Sequence, residues 1–283
     1  MAIIAYNSCT SESQLKFISM FNEAALLKTK SLEVWRGGVC LFEGLDFTLE
    51  SGQVAIVSGA NGCGKTTLIR VISGVLEPFN GEIYVDGQDL KKLSVVERSR
   101  HLSVAPQMPE FPLDYTVYQM LMMARNPYLS LFSWESKQDF YIVQQVISLT
   151  EIEYLVERLI RDISGGERQR VLLAMTMIQS TKTVIMDEPT ASFDLGYQIG
   201  FYRIIKLLKS RGIAVLLAMH DLSLAAQCCD RIIILFKGRI HAEGNPKEVL
   251  TEEILSDVYN TPIKVMYHPD SESPVVVSTD RTN

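Results

Sequence analysis

The sequence has no run of the eighteen or so consecutive apolar residues that a helix needs to cross a bilayer. Its longest strong run, Ile213 to Met219, stops at His220 and Asp221. Work at a membrane would therefore require another chain to span it. Cysteine is sparse, five residues with no Cys-x-x-Cys pair and one adjacent pair at Cys228 and Cys229, which fits neither a disulfide framework nor a zinc site. Core thiols in a reducing compartment are expected. Positive charge is also in deficit: 27 Lys and Arg against 33 Asp and Glu leave a net charge of -6, so no nucleic-acid partner is expected. The first residues lack a basic stretch, and Glu12 precedes any sustained apolar segment, so they do not read as an export signal. The expected location is cytoplasmic. There is no internal repeat and no low-complexity tract.

What remains is a chain of 283 residues, 47% apolar, enough for one large globular domain or two small ones. Residues 1-28 form an extension in which "QLKFISMFNEAALL" has helical spacing but no strong cap. From Ser31 the pattern is strand-like: "SLEVW", a Gly37-Gly38 turn, then "LDFTLE" with alternating Leu45, Phe47 and Leu49. "VAIVS" predicts a buried strand, and "TTLIRVISGVL" predicts a helix with Leu68, Ile69, Ile72, Val75 and Leu76 on one face. A hairpin follows at "IYVDGQ", turning at Asp86-Gly87. Between about 109 and 165 the strands stop, and "VYQMLMMAR", "SKQDFYIVQQVISLT" and "EIEYLVERLI" read as three helices, a helical insert. Strands resume at "TVIMD", "IAVLLAMH" and "RIIILF", alternating with helices at "GERQRVLLAMTMIQ" and "YQIGFYRIIKLLKSRG". That alternation predicts a parallel sheet covered on both faces. A last hairpin, "ILFKGRIHAEG", leads to a helix at "PKEVLTEEILSDVY" and a polar tail, 266-283.

Gly59 to Thr66 reads G-A-N-G-C-G-K-T and fits G-x-x-x-x-G-K-[ST], placed between a predicted strand and a predicted helix. Small residues let the backbone of Gly59, Asn61, Gly62, Cys63 and Gly64 fold around a phosphate, with successive N-H groups and the positive helix end aimed at the anion. Lys65 would reach the β and γ phosphates. Thr66 would give its hydroxyl to Mg²⁺, and Thr67 would add a phosphate contact. ATP or GTP is the expected ligand. "TVIMDEP" ends a buried strand in Asp187 and Glu188, at the strand end where open α/β sheets bind ligands. Asp187 would hold Mg²⁺ through water, and Glu188, aimed differently, would polarise the attacking water as general base.

Between these motifs lies "ISGGERQRVLLA", Ile163 to Ala174, and with it the sequence resembles the nucleotide-binding subunits of ABC transporters. The resemblance covers roughly Ser31 to Val265. It implies an α/β fold: a phosphate-loop NTPase core with a parallel sheet, an N-terminal antiparallel β subdomain and an inserted helical subdomain, spanning about 29-265. It also implies that Ser164, Gly165 and Gly166 bind the γ-phosphate held by an opposite subunit, as a hydroxyl and bare N-H groups at a helix start allow. Ile163 and Glu167 depart from the family's commonest Leu-Ser-Gly-Gly-Gln, which puts any glutamine-specific contact in doubt.

Matched position by position, Gln107 would be the glutamine touching Mg²⁺ or its water and sensing a membrane partner. Asp194 would link the two subunits, with Phe193 where leucine is usual. His220 would contact the γ-phosphate. Trp35, 24 residues before Gly59, stands near the aromatic that stacks on adenine, and is equally a packing residue of its strand. His101, His241 and His268 match nothing and are expected at the surface. Wording such as "ARNPYLSLF" and "VLLAMHDLSLA" is similar to importers of chelated iron, haem and cobalamin.

The resemblance therefore implies an ATPase that binds ATP and Mg²⁺ and pairs head to tail with a second copy. It would dock on a multi-span permease at the cytoplasmic face of the membrane and serve a substrate-binding protein indirectly. The alternatives are an ATPase of this type acting on ribosomes or DNA, uncoupled from transport, an importer ATPase for another cargo such as molybdate, and a binding-only module. A single cassette with about 98 residues between Lys65 and Ser164 weighs against the first, and intact Lys65, Asp187, Glu188 and His220 weigh against the last.

Overall fold

The computed structural model describes residues 27–107, 109–129, 134–190 and 195–278. The helical pattern expected within the first 26 residues and the expected Asp194 lie outside the described residues. Strands β1 (Leu27–Arg36) and β2 (Val39–Leu49) form an antiparallel hairpin through Gly37 and Gly38, whose φ of 57° and 80° is the turn geometry glycine permits. Strand β3 (Val54–Ser58) runs into the glycine loop and helix α1 (Lys65–Ile72). That helix stops sooner than its apolar spacing predicts. Gly74 takes φ 75°, and the N-H groups of Val75 and Leu76 both turn back to the carbonyl of Arg70, so Val75 lies out in solvent.

Strands β4 (Asn80–Val85) and β5 (Gln88–Asp89) join at Asp86-Gly87 and complete a four-stranded antiparallel sheet ordered β2-β1-β4-β5. Helix α2 (Val95–His101), started by a Ser94/Glu97 capping box, and strand β6 (Leu102–Ala105) follow; no element was expected at either. Then come α3 (Val117–Met123), α4 (Lys137–Thr150) and α5 (Gly165–Ile178). The third helix expected in this region, at "EIEYLVERLI", is instead two single 3₁₀ turns, Glu153–Leu155 and Ile160–Asp162. Its backbone groups are used across the chain rather than along it: Val117 and Tyr118 donate to Arg158 and Val156, and Ile160 donates to Tyr115.

The remaining elements are β7 (Thr183–Asp187), α6 (Leu195–Ser210), β8 (Ala214–Ala218), α7 (Leu222–Cys228), β9 (Arg231–Phe236) and β10 (Arg239–Gly244). The single helix expected after them is split into α8 (Pro246–Val249) and α9 (Glu252–Tyr259), because the Thr251 side chain accepts from Ile254 N-H and starts a second helix. The tail folds back as a hairpin of β11 (Ile263–Tyr267) and β12 (Pro274–Ser278).

The central sheet is ordered β10-β9-β3-β8-β7-β6, parallel except for β10. Alternation along its strands divides the core. Val54 and Ile56 face a cluster built with α3 to α7, whereas Ala55 and Val57 face one built with α1 and the antiparallel strands. In the helical layer a buried ion pair ties the segment after α3 to α4 and α5. Arg125 Nε donates to Asp139 Oδ1 at 2.7 Å, and its Nη1 donates to the Ile178 carbonyl at 3.0 Å. Burial opposes the charge on Asp139, but hydrogen bonds from Ser136 and Arg125 overcome it and hold the carboxyl below its usual range. This stabilisation is present at neutral pH and is lost as pH falls through the lowered value. Arg125→Met should cost about 3–5 kcal/mol in urea denaturation at pH 7, because it strands a buried carboxylate.

Candidate functional site

The loop after β3 is shaped by positions that only glycine fills. Gly59 has φ 148°, and a Cβ there would lie 2.3 Å from the Leu235 carbonyl oxygen; at Gly64, φ 102°, it would lie 2.5 Å from the Phe42 ring. Helix α1 then starts at Lys65 with no side-chain cap and no acid in its first turn, so its leading N-H groups face the loop's concavity uncapped. Lys65 is 6% exposed, and its ammonium folds back over the loop, donating to the Gly59 carbonyl at 2.9 Å and the Ala60 carbonyl at 3.4 Å.

Register brings the acids to this loop. Asp187 on β7 lies level with Ala218 on β8, which lies level with Val57 on β3. Asp187 is 2% exposed, and its Oδ1 is one of two buried side-chain polar atoms without a partner among the described residues. Burial raises its pKa and the Glu188 charge adds to this, while a hydrogen bond with Thr66 and the Lys65 charge pull the other way. An orphaned carboxylate oxygen beside a threonine hydroxyl is a hard-oxygen donor set that fits a divalent cation.

Glu188 takes a left-handed backbone, φ 50°, fixed by its N-H donating to the Ala218 carbonyl at 2.9 Å. The bend turns its side chain away from Asp187's buried position. Glu188 Oε2 accepts from Gln107 Nε2 at 2.6 Å, and Oε1 lies 2.6 Å from His220 Nε2. Gln107 arrives from the end of β6 and His220 from the end of β8, so three parallel strands converge on one carboxylate. Held on both oxygens, it is oriented to take a proton from a water molecule within its reach.

These groups border an open cleft of about 360 Å³ lined by Asn61, Gly62, Gly64, Lys65, Thr66, Thr67, Glu188 and His220, with Arg36 and Leu41 at another edge. Trp35 does not line it: its half-exposed ring packs on Phe79, centroids 5.9 Å apart. The strand's alternation sends neighbours to opposite sides, so the residue next to Trp35, immediately before the Gly37-Gly38 turn, is the one at the cleft. Sequence reasoning passed over both Arg36 and Leu41. Ser164, Gly165 and Gly166 open α5 and stand outside this cleft in the single chain. Ser164 Oγ accepts from Glu167 N-H at 3.3 Å and Ser164 N-H donates to Glu167 Oε2 at 2.7 Å, a capping box that holds the Glu167 carboxyl below its usual range.

A parallel sheet with a glycine loop at the end of β3 and a pair of acids at the end of β7, one strand removed across β8, defines a phosphate-loop nucleoside triphosphatase. The chain belongs to the ABC transporter family, whose sequence profile matches residues 42–191, and it is an ATP-binding ATPase of that family. It is 32% identical over 256 residues to the achromobactin transport ATP-binding protein of Dickeya dadantii (strain 3937), covering 90% of this chain and 95% of that one. It is 34% identical over 254 residues to the hemin import ATP-binding protein of Rhodococcus jostii (strain RHA1), covering 90% and 86%. Among solved structures, an ATP-binding subunit of an ABC transporter superposes with a TM-score of 0.72 at 25% identity, covering 79% of this chain and 91% of that one. Among the described residues no helix is long and apolar enough to cross a membrane.

Asp187→Asn should raise the thermal midpoint of the nucleotide-free protein, since the amide removes a buried carboxylate, by roughly 2–4 °C for each kcal/mol relieved. Because the folded pKa is raised, the wild type recovers stability as pH falls into the raised range, and the difference between the two proteins should shrink there. Calorimetric scans of both proteins across acidic pH check this.

Proposed function

We propose that this chain is the ATP-hydrolysing subunit of an importer, working as a head-to-tail pair of copies at the cytoplasmic face of a membrane. Two ATP molecules would lie between the Gly59 to Thr66 loop of one copy and Ser164 to Gly166 of the other, with Asp194 at the seam. The observation that carries the reading is the Glu188 carboxylate, gripped by Gln107 and His220 beside the orphaned oxygen of Asp187. Thr66, Asp187 and Gln107 would hold Mg²⁺, which when bound neutralises phosphate charge. Lys65 would exchange its loop carbonyls for the β and γ phosphates. Glu188 would take a proton from water as the water oxygen bonds to the γ-phosphorus and the bond to the bridging oxygen breaks, releasing ADP. His220 would steady the γ-phosphate and the Glu188 side chain together.

Closing the pair around ATP and opening it after hydrolysis does work only through a difference in affinity between the two states. A multi-span permease would feel that difference through the helical subdomain, about 109-165, where Leu113, Trp134 and Phe140 present apolar surface to solvent. A substrate-binding protein would be served indirectly through the permease, and no nucleic acid is involved. The cargo assignment is a metal chelate such as an iron-siderophore complex, haem or cobalamin, supported by the names of the achromobactin and hemin relatives. Molybdate transport, or an ATPase uncoupled from transport, is the alternative.

Glu188→Gln should bind ATP with near wild-type affinity, lose about 100-fold or more of its turnover, and elute as a dimer in ATP. Unchanged steady-state hydrolysis would remove Glu188 from the role of base. Lys65→Ala should lose ATP binding, read by equilibrium titration. Co-expression with the permease, followed by uptake of labelled chelate against labelled molybdate, separates the cargo readings.

A further inference from the structure

The C-terminal unit of α8, α9, β11 and β12 touches the core beside the cleft at two points, Ser58 just before the glycine loop and Ser223 three residues after His220. Tyr259 is the last residue of α9, and Asn260 follows it in the left-handed conformation, φ 50°. The Tyr259 hydroxyl lies 3.4 Å from Ser58 Oγ. Ser58 is fully buried, immediately precedes Gly59, and donates its own hydrogen to the Met219 carbonyl at 2.8 Å. With that hydrogen committed, the Ser58 oxygen is left to accept from the phenol. The phenol is partly buried and also meets the backbone of Gly59, and burial pushes its pKa up. The second point is Ser223 in the first turn of α7, whose Oγ accepts from Val276 N-H on β12 at 2.9 Å. Between the two points, Leu222 and Ala226 of α7 pack with Val249, Leu255 and Val258.

We propose that Tyr259 is a positioning residue of the nucleotide site, through which the C-terminal unit sets the phosphate loop and the strand end that carries His220. The inference rests on the ATP site proposed above. Its physical content is a chain of four polar contacts. Tyr259 orders Ser58 and the Gly59 backbone; the Gly59 carbonyl receives the Lys65 ammonium; and Ser58 fixes the Met219 carbonyl, one residue before His220. Apolar packing at Tyr259 would be met equally well by phenylalanine, so the hydroxyl is the part whose removal isolates the polar role.

The test is Tyr259→Phe in the full chain, with Ser58→Ala and the double variant. The hydroxyl variant should keep its thermal midpoint within about 2–4 °C. It should raise both the Kd for ATP and KM by roughly threefold to tenfold, the size of one hydrogen bond. Ser58→Ala should have a smaller effect in the Tyr259→Phe background than alone, because both remove the same contact. Purely structural damage would lower the active fraction and kcat while leaving KM where it was. Unshifted Kd and KM in Tyr259→Phe, or strictly additive effects in the double variant, overturn the inference. Should Ser58→Ala fold poorly, Tyr259→Phe alone decides. A wild type that does not bind ATP would sink the site itself, whereas a wild type that binds and a variant that is unshifted sinks only this proposal.

Discussion

Strands β3, β7 and β8 are buried on both faces and locked in parallel register, and that constraint decides where every reactive group emerges. A strand with no exposed face can present chemistry only at its end. Because Val57, Ala218 and Asp187 lie level, the next residues along, Ser58, Met219 and Glu188, reach the same end of the sheet, where Ser58 and Met219 stay buried and Glu188 alone is partly exposed. Asp187 remains inside the sheet, where its charge is disfavoured, and Glu188 escapes only by adopting a left-handed backbone. Two adjacent carboxyls thus acquire different surroundings from one residue's shift in position.

Much of this was legible because the signals were strong and local. The runs "VAIVS" and "TVIMD" are too apolar for anything but two-sided burial, and the glycine spacing from Gly59 to Gly64 encodes the backbone angles the loop requires. The clamp of Gln107 and His220 on Glu188 was not legible, since it joins residues 81 and 32 positions from the acid through a sheet order that sequence does not state. Trp35 drew attention as an aromatic, yet strand alternation gives its ring to Phe79 and leaves the neighbouring Arg36 at the cleft.

Helical spacing at 151–160 and at Val75 and Leu76 is real, but spacing says nothing about where backbone hydrogen bonds go. In the first case they run across to residues 115–118, and in the second they close on Arg70. The C-terminal hairpin went unassigned because its strands carry few inward residues. Pro274 is buried whereas Met266, Tyr267 and Val277 are exposed, so no clean alternation marks it. Its place is set by contacts to α7 and α9 rather than by its own pattern.

Lys65 shows what the loop does before any ligand arrives. The residue is already buried, and its ammonium rests on the Gly59 and Ala60 carbonyls. On the role proposed for Lys65, an incoming phosphate would meet a cation already dehydrated when the chain folded, and would need only to outcompete two neutral oxygens. In that role, part of the cost of phosphate capture would thus be met in advance by the fold, leaving a short side-chain swing in place of the shedding of a hydration shell.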